Sequence, residues 1–200
     1  MGEQSGRWTR DLASVLTVGA IVLFARSSLA DHYFVPSGSM EPSVHVDDRV
    51  LVNKLAYGVR VPLADVYAVE LAQPARGDVV VLTSPEDGIV LLKRVVAVPG
   101  DRVRVADGHV EIDGVVAPVK EIDGGLVEEL GASAHPLDLD SGGGPDFGPT
   151  VVPPDRFLVM GDNRGNSKDG RYFGFVARSA IKGRAVAVIA RGGRMAWIGL

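Results

Sequence analysis

The sequence predicts a mostly β, antiparallel domain behind one N-terminal apolar helix. Three observations carry that prediction. An uncharged run, "LASVLTVGAIVLFA" at residues 12–25, lies between Arg10 and Arg26. From Asp31 onward, short β-branched runs alternate with Gly, Pro and Asp, which is how strands and tight turns read. No long helical periodicity follows residue 31.

The apolar run is short for a spanning helix, which needs roughly 20 apolar residues, and has the length of a secretory signal's apolar region. Ser28-Leu29-Ala30 is also a small-x-small triplet of the kind cleaved after such a region. The alternative is a transmembrane anchor over residues 12–30. It covers about 28 Å at 1.5 Å per residue if Arg26 snorkels to the far interface. Trp8 at one end, and Tyr33 with Phe34 at the other, suit the aromatic belts of a bilayer. Both readings take the chain to a lipid bilayer. Arg7 and Arg10 favour residues 1–11 on the cytoplasmic side and residues 31–200 exported.

The expected strands are "RVLVNKL" (49–55), "DVVVLTS" (78–84), "IVLLKRVVAV" (89–98), "DRVRVADGHVEIDGVV" (101–116), "RFLVM" (156–160) and "GRAVAVIA" (183–190). Within the fourth, Ala-Asp-Gly at 106–108 joins two alternating runs. A hairpin with Val103 and Val105 on one face follows. Residues 117–150, rich in Gly, Pro and Asp, read as an irregular insertion. A single β domain behind one helix is the simplest architecture.

Composition narrows the chemistry. With 21 basic and 25 acidic residues, a net charge of −4 and no basic block, nucleic acid is not an expected partner. The absence of cysteine excludes disulfides, a thiolate nucleophile and cysteine-ligated zinc. No histidine–carboxylate spacing suits a metal, and no cofactor is expected.

Two stretches stand out. "FVPSGSMEPSV" (34–44) displays Ser37 and Ser39 in a Pro- and Gly-punctuated turn, which on its own is ordinary turn chemistry. In "IVLLKRVVAVPGD", strand alternation puts Ile89, Leu91, Lys93, Val95 and Ala97 on one face and Val90, Leu92, Arg94, Val96 and Val98 on the other. Both faces are otherwise apolar, so two adjacent cations sit in a strand that reads as buried. Arginine stays protonated and must find a carboxylate, whereas desolvation lets lysine give up its proton. A neutral lysine amine is a general base, and serine needs one to become a nucleophile. The bland alternative is a strand lysine near an edge with its ammonium in water. His32, His45, His109 and His135 read as exposed polar residues, because none lies in an apolar run that would tune it. The loop "MGDNRGNSKDGRYFGFV" (160–176) concentrates Asp162, Asn163, Arg164, Asn166, Ser167, Asp169 and Arg171. Either Asp162 or Asp169 can supply the partner that Arg94 requires.

Taken together, "VPSGSMEPSV", "DDRVLVNK", "LLKRVVAVPGD" and "GDNRGNSKDGRYFG", in that order, resemble the blocks of type I signal peptidases. These are membrane-bound serine proteases that remove signal peptides from exported proteins. The resemblance implies Ser39 as nucleophile and Lys93 as general base. It implies the Ser39 N–H and Ser37 hydroxyl as oxyanion donors, and Ser167 as the group that orients the lysine. It also implies an Arg94–Asp162 pair, a loop braced by Asp169 and Arg171, and substrate lying as an extended strand along Tyr33, Val35, Met40, Leu91 and Leu92. The substrates would be signal peptides with small residues at the first and third positions before the cut. The family's N-terminal segment is a retained single-pass anchor, which places the catalytic domain on the outer face of the cytoplasmic membrane. This chain departs from the family at Asp47, where many members have glycine, and at Gly165 and Gly170. The competing readings are a self-cleaving Ser–Lys repressor, which would carry a basic DNA-binding segment, and a membrane-tethered β domain that binds without cleaving.

Overall fold

The structure, a computed structural model, describes residue 11 and residues 14–18, 30–60 and 67–200. Residues 14–18 are helical. Among the described residues no helix is long and apolar enough to cross a membrane. The expected cytoplasmic N-terminus and most of the expected anchor at 12–30 lie outside the described residues.

In chain order the strands are β1 (Ala30–Phe34), β2 (Arg49–Asn53), β3 (Gly58–Arg60), β4 (Tyr67–Glu70), β5 (Val79–Thr83) and β6 (Val90–Ala97). Then follow β7 (Arg102–Ala106), β8 (His109–Ile112), β9 (Val115–Val116), β10 (Val119–Ile122), β11 (Gly125–Leu130) and β12 (Ser133–Leu137). The last are β13 (Phe147–Val151), β14 (Arg156–Met160), β15 (Val176–Ala177), β16 (Ile181–Arg191) and β17 (Arg194–Gly199). Each strand expected from the sequence overlaps one or more of these, β16 extending beyond the expected 183–190 at both ends, and all the pairings between named strands are antiparallel.

The main sheet runs β1-β2-β16-β5-β6-β14-β15, with β17 beside β16. Its central strand β5, "VVVLT", is buried on both faces, so a continuous β-branched run rather than an alternating one is what the position demands. Val79 and Val81 pack with Met40, Val44, Val50 and Val188. Val80 and Leu82 pack on the other side with Val95, Phe157 and Ile181. A further cluster joins Val96 and Met160 to Val103, Val105 and Val110 of the β7–β8 hairpin. That hairpin turns at Asp107-Gly108, both at positive φ (48° and 80°), with Ala106 opposite His109. This is the mirror-image two-residue turn that Asp-Gly favours.

The insertion corrects the sequence reading. Residues 117–150 are not irregular but hold β10, β11 and β12 as a three-stranded sheet, with β13 pairing β7. Asp123-Gly124 makes the same kind of turn, at φ 52° and 77°, with Ile122 opposite Gly125. The strict alternation read for β6 also fails at its end. Register slips between Leu158 and Val159 of β14, and Val95 and Ala97 fall in different core clusters. A bulge twists and re-aims the strand, which is what such insertions do.

Candidate active site

The serine turn is pinned by what it buries. Val35 N–H donates to Asp48 O at 3.0 Å and Asp47 N–H to Val35 O at 2.9 Å, closing the loop at its base. Met40 and Val44 sink into the core, which leaves Ser37 exposed and Ser39 half-buried. Asp47 has φ 68°. That left-handed conformation suits glycine and is tolerated by Asp, so this departure from the family leaves the turn intact.

Strand β6 brings Lys93 to this turn. Its Nζ lies 2.6 Å from Ser39 Oγ, across 54 positions of sequence. Lys93 is 2% exposed. Burial pushes its pKa down to about 8; Asp169 and Asp162 pull it back up and Arg171 adds to the lowering. A neutral amine is therefore accessible near neutral pH, without a histidine.

Arg94, the next residue, takes the other solution to burial. Its Nε and Nη2 donate to Asp162 Oδ1 and Oδ2 at 2.8 and 2.7 Å, and its Nη1 to Gly77 O at 2.7 Å. Ser43 Oγ donates to Asp162 Oδ2 at 2.6 Å. Burial alone would raise the Asp162 pKa; the Arg94 guanidinium outweighs it and holds the carboxyl below its usual range. Asp169 is gripped in the same manner by Arg171 Nε and Nη2, both at 2.8 Å, and accepts the Gly161 N–H at 3.0 Å. It also caps the short helix Gly170–Phe173.

Gly161 is where this loop meets the serine turn. A Cβ built there would lie 2.3 Å from both Ser39 O and Ser167 Oγ, so no other residue allows the approach. Asn163 N–H then donates to Ser39 O at 3.3 Å. The buried Ser167 hydroxyl helps to keep Asp169 ionised but makes no aligned hydrogen bond in the structure. It contacts the site through its packing on Gly161.

A groove of about 320 Å³ opens over Ser39 and Lys93. Tyr33, Val35, Ser37, Met40, Leu91 and Leu92 line it together with those two. Arg94, Asp162, Asp169 and Arg171 are buried and are not among its lining residues. One wall has an open edge: β14 pairs with β6 only at Arg94 and beyond, leaving Val90–Lys93 without a strand partner on that side among the described residues.

Two buried residues behind the loop escaped the sequence reading. Glu128 on β11 is fully buried and receives Arg164 Nη2 at 2.5 Å and Nη1 at 3.2 Å. Burial would raise its pKa, but His135 and Arg164 hold it down at about 2. The signal was present, since Glu128 shares strand parity with Leu126 and Leu130. His135, expected to be exposed, is instead 3% exposed. Its Nε2 lies 3.2 Å from Glu128 Oε2 and 3.9 Å from Asp162 Oδ1, although neither ring nitrogen makes a well-aligned hydrogen bond. Parity with Leu137 on β12 explains the burial. His32 and His45 are exposed and His109 is half-buried.

Residues 8–190 match the family described as signal peptidase, peptidase S26. The chain is 38% identical over 192 residues to a signal peptidase I of Pseudomonas fluorescens, covering 84% of this chain and 67% of that one. It is 31% identical over 185 residues to a probable signal peptidase I-2 of Synechocystis sp., covering 89% and 71% of the two chains. A crystal structure of a signal peptidase I from Enterococcus faecalis aligns at a TM-score of 0.40 and 26% identity, covering 57% of this chain and 98% of that one. On the breadth of the family match and the identity to these relatives, the chain belongs to the signal peptidase family of proteases, peptidase S26.

Proposed function

We propose that the protein is a signal peptidase I that cuts exported preproteins after small-x-small sites, with Ser39 as nucleophile and Lys93 as general base. The 2.6 Å contact between Lys93 Nζ and Ser39 Oγ, made inside an apolar groove, is the observation that carries this reading. In the first step the neutral amine takes the hydroxyl proton while Oγ bonds to the scissile carbonyl carbon. The oxyanion that forms accepts from the Ser39 N–H, which has no acceptor among the described residues, and from the Ser37 hydroxyl. The lysinium then returns its proton to the leaving amine as the C–N bond breaks. Water, deprotonated by the same lysine, hydrolyses the acyl-enzyme and frees Ser39.

The unpaired edge of Val90–Lys93 supports substrate binding by strand addition, with alternate side chains entering the groove. Ser37 and Ser39 follow β1 directly. In this reading residues 12–30 hold the domain at the extracytoplasmic face of the cell membrane, so the groove meets substrates at the bilayer. No cofactor or metal takes part.

The test is cleavage of a signal-peptide-bearing substrate by the protein in detergent or lipid. Ser39→Ala should lower the rate by about 10⁴-fold or more while leaving the fold unchanged. Wild-type rates in folded Ser39→Ala would remove Ser39 from the reaction. A wild type that binds but never cleaves would leave a tethered binding domain. The acid limb of kcat/KM reports the free enzyme's base. It should have its midpoint near the Lys93 pKa of about 8. A limb that keeps climbing past pH 10 would show a lysine still fully solvated.

A further inference from the structure

The segment 117–150 grips the loop that carries Asp162, Ser167 and Asp169. Its Asp138 N–H donates to Asp162 O at 2.9 Å and its Asp138 O accepts from Arg164 N–H at 3.0 Å, a parallel bridge. Arg171 Nη1 donates to Gly143 O. At Gly165 a Cβ would lie 2.1 Å from Ser141 O, so the glycine that departs from the family is where this segment lies against the loop. Deepest of these ties is Glu128 with Arg164, among the largest fully buried side chains.

The Arg164 guanidinium donates to three partners, the Glu128 carboxylate, Gly161 O and Gly108 O. One end of its guanidinium meets the Glu128 carboxylate at two points; its Nε donates to Gly161 O at 3.1 Å. The Gly161 N–H is held by Asp169. The N–H and the C=O of one residue, in the two peptide planes that meet at its Cα, are thus both held, at the glycine that lies against Ser39 O and Ser167 Oγ. A planar fork anchored at two points is fixed in orientation as well as position. Nη1 also donates to Gly108 O, so neutralising the carboxylate leaves that tie but loses the two-point grip that fixes the plane of the fork, and with it the orientation of the Nε that sets Gly161. His135, between Glu128 and Asp162, joins this arrangement to the Arg94 pair.

We propose that Glu128 is a positioning residue for peptide cleavage, holding Gly161 through Arg164 so that Ser39, which lies against Gly161, keeps its place at Lys93. This rests on the proposed function above. The simpler alternative is that Glu128 only neutralises a buried arginine. The two differ in what they do to turnover by folded protein.

The experiment compares Glu128→Gln with Glu129→Gln, its outward-facing neighbour paired with exposed Lys120. Folded Glu128→Gln should lose about 10- to 100-fold in kcat with KM within about two-fold, as misplacement of reacting groups does. Amide exchange should rise in residues 161–167 but not in β5 or β6. Glu129→Gln should change neither. If Glu128→Gln does not fold, the double variant Glu128→Met with Arg164→Met removes both charges and restores a packed pair. It should show the same kcat loss, because Gly161 O has lost its donor. Wild-type kcat per folded molecule in either variant would overturn the positioning role and leave the protease reading standing. A wild type that fails to cleave would overturn the protease reading itself.

Discussion

Lys93→Arg is expected to give a folded protein with background cleavage only. The substitution keeps the charge and approximate reach, but a guanidinium does not give up its proton in a protein. Ser39 Oγ, now 2.6 Å from the amine, would then face a group that can donate to it and cannot accept from it. The loss should match that of Ser39→Ala, since groups acting as one unit fail together. A buried arginine without its own carboxylate also strains the fold, so the quantity to measure is the initial rate per folded molecule. Substantial activity there would show that Lys93 is not the base.

Arg94→Ala should act chiefly through stability. Its partner Asp162 is buried with 1% of its side chain exposed, and truncation would leave that carboxylate with the Ser43 hydroxyl and a distant imidazole. Removing one member of a buried pair costs about 3–5 kcal/mol, because the survivor's charge is left uncompensated. Urea unfolding of the wild type and variant reads this directly. Arg94→Lys, which keeps the charge and loses the fork, should lie between the two. A loss under about 1 kcal/mol for Arg94→Ala would put the pair in the class of exposed ion pairs.

The sequence signals that proved legible were local and periodic. β-Branched runs bounded by turn residues located β2, β5, β6, β7, β8, β14 and β16, and Asp-Gly at 107–108 located a hairpin. The cationic positions in β6 could be read because they interrupt an apolar strand on both faces. Residues 117–150 were misread for a definable reason. Their strands carry few β-branched residues and β10 is mostly exposed, so Gly, Pro and Asp dominated the reading. The same Asp-Gly signal stood at 113–114 and 123–124, both pairs at positive φ. Glu128 and His135 escaped because their burial comes from packing of the insertion on the loop. A polar residue in apolar parity was the only local trace. The slip in β6 had no local trace at all, since it arises from pairing with β14, more than fifty positions away.

The buried lysine also couples ionisation to folding. Its pKa falls from 10.5 to about 8, so between those values the unfolded chain holds a proton that the folded chain has released. Stability therefore rises with pH across that window. Below it, keeping the ammonium inside costs on the order of 3 kcal/mol relative to the neutral amine. Conditions that protonate the base thus weaken the domain as well as silence it, and folding in mildly alkaline solution expels a proton. A group kept ready to accept a proton is one whose protonation works against the fold that holds it.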